Sequence, residues 1–190
     1  MKAICALLAA CLAACATPAR QGPYGERAGV VRNELRAAKL VEEATAVAVS
    51  DPARSEELLR DALDADLFNA KAHNNLGVLL LQRGELYLAA TEFEWARKLL
   101  PGHPEPRVNL ALTLERAGQH ESARQSYLSA LEVYPGYIAA TQGAARMAVI
   151  DGDSTPELES WLAQIAVEGE TEVWRAWAAK ELARTRMGED

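Results

Sequence analysis

His120-Glu121 opens like the His-Glu-x-x-His pattern, in which two imidazoles one helical turn apart share a zinc ion. The residue four places on is Arg124, so the second imidazole is missing and the pair reads as a surface turn. Asp151-Gly152-Asp153 begins like a calcium loop, whose oxygens wrap a hard cation. Pro156 and the absence of a downstream glycine and bidentate acid spoil the twelve-residue geometry. The remaining histidines, His73 and His103, have no serine or cysteine nucleophile pattern beside them, and no glycine-rich phosphate loop or Gly-x-Ser-x-Gly elbow occurs. The expectation is a chain without catalysis, cofactor or metal. Twenty Lys and Arg against 27 Asp and Glu, net −7 with pI near 5.1, disfavour binding to nucleic acid.

One residue type does suggest chemistry, at the N-terminus. All three cysteines fall within the first fifteen residues, so no disulfide framework staples the body. Met1-Lys2 is followed by an Ala/Leu/Ile/Cys run too short for the roughly 20 residues that span a bilayer, which reads as an export signal over 1–14. Leu12-Ala13-Ala14-Cys15 resembles the lipobox of bacterial lipoproteins, which implies acylation of Cys15 and cleavage just before it. Leu8-Ala9-Ala10-Cys11 carries the same short pattern after a shorter apolar run, and an ordinary cleaved signal with an Ala-x-Ala-like site is the other alternative. Residues 15–26, with Pro18 and Pro23 and no helical apolar period, read as an extended tether of at most about 3.5 Å per residue. The resemblance implies a lipid-anchored protein of the bacterial cell envelope. Ala16 after the acylated cysteine resembles lipoproteins of the outer membrane facing the periplasm, if the cell has two membranes.

The elements that position everything else repeat with a period of 34 residues. Leu76, Leu80, Gly84, Ala89, Ala96 and Pro101 recur as Leu110, Leu114, Gly118, Ala123, Ala130 and Pro135; Asn75 recurs as Asn109 and Gly102 as Gly136. Gly77 is answered by Ala111 and Phe93 by Tyr127, so size and aromaticity are kept. Leu76, Gly77 and Leu80, with His73 one turn earlier, form one face of a first helix; Ala89, Phe93 and Ala96 form one face of a second. Glycine at 84 and 118 suits a left-handed helix end, and Pro101 and Pro135 cannot continue the second helix. The pattern resembles the tetratricopeptide repeat family, which implies an all-α, right-handed solenoid of helical hairpins with a C-terminal capping helix.

Walking the frame outward divides the chain into a degenerate first hairpin (27–69), two regular repeats (70–103 and 104–137), a degenerate repeat (138–169) and a cap with tail (170–190). In the first hairpin Leu59 and Ala62 keep the second-helix frame after Asp51-Pro52, whereas Glu42 and Glu43 stand where Leu76 and Gly77 would. Downstream, Ala144, Ala145 and Ala148 hold a weakened frame. Thr155-Pro156 opens a helix striped by Leu158, Trp161, Leu162 and Ile165, and Thr171 opens the last, striped by Trp174, Trp177, Ala178 and Leu182. Those three tryptophans read as core. Trp95, two residues beyond Phe93, reads as a candidate exposed contact.

Function then falls to the inner wall of the solenoid, formed by the side of each first helix that its own hairpin does not use. Lys71, Asn74, Val78, Leu81 and Gln82 make one row, and Glu105, Val108, Leu112, Glu115 and Arg116 the next. Val78, Leu81, Val108 and Leu112 are apolar positions beyond what the core needs, suited to a protein or peptide partner. An N-terminal helix of the protein itself is the alternative occupant. Val78 occupies the place where a second groove asparagine would serve a carboxylate clamp, so that mode is not expected. The expected function is a membrane-tethered, non-catalytic adaptor for envelope proteins. The alternative is a structural subunit with the solenoid buried in a larger envelope, pilus or secretion assembly. In layout the chain resembles pilus-assembly lipoproteins and adaptors that recruit peptidoglycan hydrolases.

Overall fold

A computed structural model describes residues 32–187; the signal, Cys15 and the tether lie outside the described residues. Nine α-helices and no strand occur among the described residues: α1 (Glu34–Val47), α2 (Pro52–Ala65), α3 (Ala70–Gln82), α4 (Leu86–Leu99), α5 (Glu105–Arg116), α6 (His120–Val133), α7 (Ile138–Asp151), α8 (Pro156–Glu168) and α9 (Glu172–Met187). Each helix packs on its sequence neighbours, and α1, α3, α5 and α7 also approach one another. The odd-numbered helices therefore line the tighter, inner side of a solenoid of hairpins.

Local chemistry explains the boundaries. Asp51 and Thr155 cap α2 and α8, accepting from the Arg54 and Leu158 amides with proline at the first helical position, and Thr171 accepts from the Trp174 amide. Gly84, Gly118 and Gly152 follow α3, α5 and α7 at φ 78°, 73° and 76°, conformations that cost an L side chain energy.

Phe93 and Tyr127, both buried, fill the space between packed helices, Phe93 against α3 of its own hairpin and Tyr127 against α7 of the next, and small residues on the facing helices admit them. A Cβ at Gly77 would lie 2.7 Å from the Phe93 ring, and one at Gly143 would press into the Tyr127 ring. Leu158, Leu162, Ile165 and Ala178 join Ala145 and Ala148 in a core at the C-terminal end, with Trp161, Trp174, Trp177 and Leu182 half-buried against it.

The first hairpin differs from expectation. Its buried residues in α1 are Ala37, Val41 and Ala44, which match Ala72, Leu76 and Leu79 of α3 at a separation of 35, while Leu59 and Ala62 match Phe93 and Ala96 at 34. The α1–α2 connection holds four residues (48–51), whereas α3–α4 and α5–α6 hold three each (83–85 and 117–119). The extra turn residue slides α1 by one position, so Val41 takes the place of Leu76. Glu42 and Glu43 face solvent instead of occupying core positions.

Candidate partner-binding groove

The inner wall is built by α1, α3, α5 and α7. Lys71, Gln82, Glu105 and Arg116 are exposed, while Asn74, Val78, Val108, Leu112 and Glu115 are half-buried. Leu81 is corrected: at 6% exposure it belongs to the packing of the solenoid, and the Arg116 guanidinium lies across its carbonyl at 3.4 Å. Three apolar side chains, Val78, Val108 and Leu112, thus remain partly open on this face. Beside Val78 the wall deepens into a pocket of about 430 Å³ lined by Thr45, Val49, Asn75, Leu79 and Gln82, with Val49 99% exposed at its rim.

Polar side chains knit the rows. The Asn109 amide donates to Asn74 Oδ1 at 3.0 Å, and Asn75 to Thr45 Oγ1 at 3.4 Å. Glu115 accepts from the Tyr127 hydroxyl at 3.0 Å and from Arg146 at 2.5 Å, and Arg146 in turn lies over the Trp174 ring, 5.1 Å from its centroid. Burial, reinforced by the Glu115 charge, pushes the Tyr127 hydroxyl well above the usual tyrosine range. Glu115 is therefore engaged within the protein, and Arg146, absent from the sequence-based set, joins the groove. Its position, 34 residues after the groove residue Leu112, is the signal that could have found it.

The other candidates have structural occupations. His73 is fully buried: Nδ1 lies 2.7 Å from Glu92 Oε2, Nε2 lies 2.8 Å from the Leu67 carbonyl, and the ring stacks on Trp95 with centroids 5.3 Å apart. Trp95 is accordingly a half-buried packing residue and not an exposed contact. Arg124 pairs with Asp151 at 3.6 Å and Asp153 at 2.6 Å, so those carboxylates fasten α6 to the end of α7. Among the described residues no cluster of His, Cys, Asp and Glu could hold a metal ion, and no helix is long and apolar enough to cross a membrane.

Residues 13–166 match the family described as Protein kinase G tetratricopeptide repeat. The chain belongs to that family. Tetratricopeptide solenoids also dominate the structural likenesses. Pseudomonas aeruginosa pilF superposes with a TM-score of 0.73 at 18% identity, covering 81% of this chain and 70% of that one. A tetratricopeptide repeat protein from Parabacteroides merdae gives 0.67 at 20%, covering 81% and 61%. The first tetratricopeptide domain of Spaghetti (RPAP3), bound to the HSP90 peptide SRMEEVD, gives 0.62 at 16%, covering 66% and 100%. At these identities the likeness concerns the fold alone. A comparison with curated proteins returns no significant match.

Proposed function

We propose that this tetratricopeptide protein is a non-catalytic adaptor, lipid-anchored through Cys15 in a bacterial envelope, that holds protein or peptide partners on its inner wall. The observation that carries the reading is Val78 and Leu112, half-buried apolar side chains at equivalent positions of α3 and α5 on the inner wall, beside Val108, which packs in part on the core. A tetratricopeptide domain of like fold is bound to a peptide, which supports the same use of this fold here. Anchoring raises the effective concentration of the adaptor at the membrane, and the groove selects among partners that reach it.

Photo-crosslinking from Val78 and Leu112 in cells, followed by identification of the attached protein, tests the reading. The companion variant is Val78→Glu with Leu112→Glu, since Leu81 is too buried to be charged without unfolding the array. The double variant keeps its helical circular dichroism and melting temperature and loses the crosslinked partner. A Lys98→Glu control on exposed outer surface keeps it. Retention of the partner by a folded double variant would place binding elsewhere on the molecule.

A further inference from the structure

The inner wall does not end at α7. Arg146 of α7 lies over the Trp174 ring of α9, and Ala178 of α9 shares a core with Ala145 and Ala148 of α7. The row of Val78 and Leu112 therefore continues, in steps of 34 residues, through Arg146 to Lys180, and the slid register of α1 places Glu43 at its start. One turn further along each helix, Gln82, Arg116, Ile150 and Arg184 form a second row, all of them exposed.

Charge changes sign along these rows. Exposed Glu42 and Glu43 stand at the α1 end, Val78 and Leu112 are neutral, and Arg116, Arg146, Lys180 and Arg184 follow from α5 to α9. The acids set among those four are already engaged: Glu115 with Tyr127 and Arg146, and Glu181, 8% exposed, with Arg184 at 3.0 Å. Glu105 and Glu172 stand in the first turns of α5 and α9, at the far ends of those helices. Among the described residues no ion pair engages Arg116 or Lys180. Cations favour any helix C-terminus, which accounts for Arg116 and Arg184 in last turns. It does not account for Arg146 and Lys180, each more than a turn inside its helix. Stacking on Trp174 fixes the plane of the Arg146 guanidinium, and a fork held in this way suits a carboxylate. Between the cations, Ile150, 54% exposed, and half-buried Leu112 and Val149 add apolar surface.

We propose that the α5–α9 half of the inner wall takes an extended acidic segment of a partner protein, its internal carboxylate side chains meeting Arg116, Arg146, Lys180 and Arg184 and an apolar side chain ahead of them entering the pocket beside Val78. The inference rests on the inner-wall reading and adds the chemistry of the partner. From α3 to α9 there are three interhelical steps of roughly 9 Å, so about eight extended residues separate the apolar residue from the last acid. Carboxylates meet the wall where its cations outnumber its acids, and basic segments are repelled from the same surface.

Fluorescence anisotropy on the full chain, held in detergent micelles, tests this with a labelled, C-terminally amidated peptide of about twelve residues that carries one leucine followed by glutamates. The same peptide with glutamine or lysine in place of glutamate is the comparison. The glutamate probe binds, the glutamine probe binds about tenfold more weakly and the lysine probe does not bind. Arg116→Glu with Lys180→Glu, at exposed positions, keeps the melting temperature and exchanges the preference of the groove from glutamate to lysine. The milder Arg116→Gln with Lys180→Gln lowers affinity for the glutamate probe about tenfold, and Lys98→Glu on the outer surface leaves it unchanged. Equal affinities for the glutamate and glutamine probes overturn the inference, as do binding by none of the probes and binding only when the peptide ends in a free carboxylate. In cells, crosslinks from Val78 and Leu112 that persist unchanged in the Arg116→Glu, Lys180→Glu chain remove the acidic segment and keep the adaptor. Absence of any crosslink in the parent chain removes the adaptor reading and this inference with it.

Discussion

Single residues carry the close approaches on which the array depends. Gly77 is small because the Phe93 ring occupies the space a Cβ needs, while Gln82, one turn and a half further along α3, is exposed. Gly77→Leu therefore lowers stability by about 1–3 kcal/mol or more, and Gln82→Leu is close to neutral, as thermal melts of the two variants measure. Tyr127 supplies a pH dependence. Its hydroxyl is held neutral in the folded protein by burial and by Glu115, whereas the unfolded chain ionises near the ordinary tyrosine value of about 10. With the folded ionisation raised, the contribution is full below that value and is lost as pH climbs above it. In a spectrophotometric titration Tyr127 ionises above the ordinary tyrosine range, and Tyr127→Phe is less sensitive than the parent to alkaline unfolding.

At the scale of helices, caps and turn lengths decide register. The Thr155 hydroxyl accepts from the Leu158 amide, and Leu158 begins the buried stripe of α8, so cap and core share one residue. Thr155→Ala costs about 1 kcal/mol by the loss of that hydrogen bond, and Thr155→Ser recovers most of it, read from denaturant midpoints at constant slope. The first hairpin shows how a single connection overrides a repeat. Its outer helix keeps the 34-residue frame while α1, behind a connection one residue longer, packs Val41 where the frame predicted Glu42. Glutamates at 42 and 43 are compatible with folding because the shift turns them to solvent.

For the whole molecule, the anchor and the solenoid make separable claims. If Cys15 carries the lipid, Cys15→Ala releases the protein from membranes or leaves it unprocessed, and washing at high salt before fractionation separates anchoring from charge-mediated adhesion. A processed Cys15→Ala protein that stays with the washed membrane would contradict the lipoprotein assignment. The charge distribution fits an inner binding face: the outer helices α2, α4, α6 and α8 carry eleven acids against five bases, and the inner helices α1, α3, α5 and α7 carry equal numbers. The net negative charge of these helices is therefore concentrated away from the wall that would meet a partner.

The amino-acid sequence alone determined the repeat, the helix ends and the family, because each rests on local chemistry. Leu76 and Leu80 one turn apart, glycine where φ must be positive and proline where a helix must stop constrain the backbone within a few residues. It also fixed which side chains share a helical face, since residues on one face remain on it whatever that helix packs against. Tertiary structure decided which groove residues are open, because that depends on what the next hairpin brings over them. Leu81 is buried and Leu112 only half-buried, although the same face-counting selected both. Tertiary structure likewise gave Trp95 a stacking partner in His73, engaged Glu115 with Tyr127 and Arg146, and moved α1 by one residue. Each of these pairings joins side chains from different helices, and no periodicity within one helix encodes the distance between two.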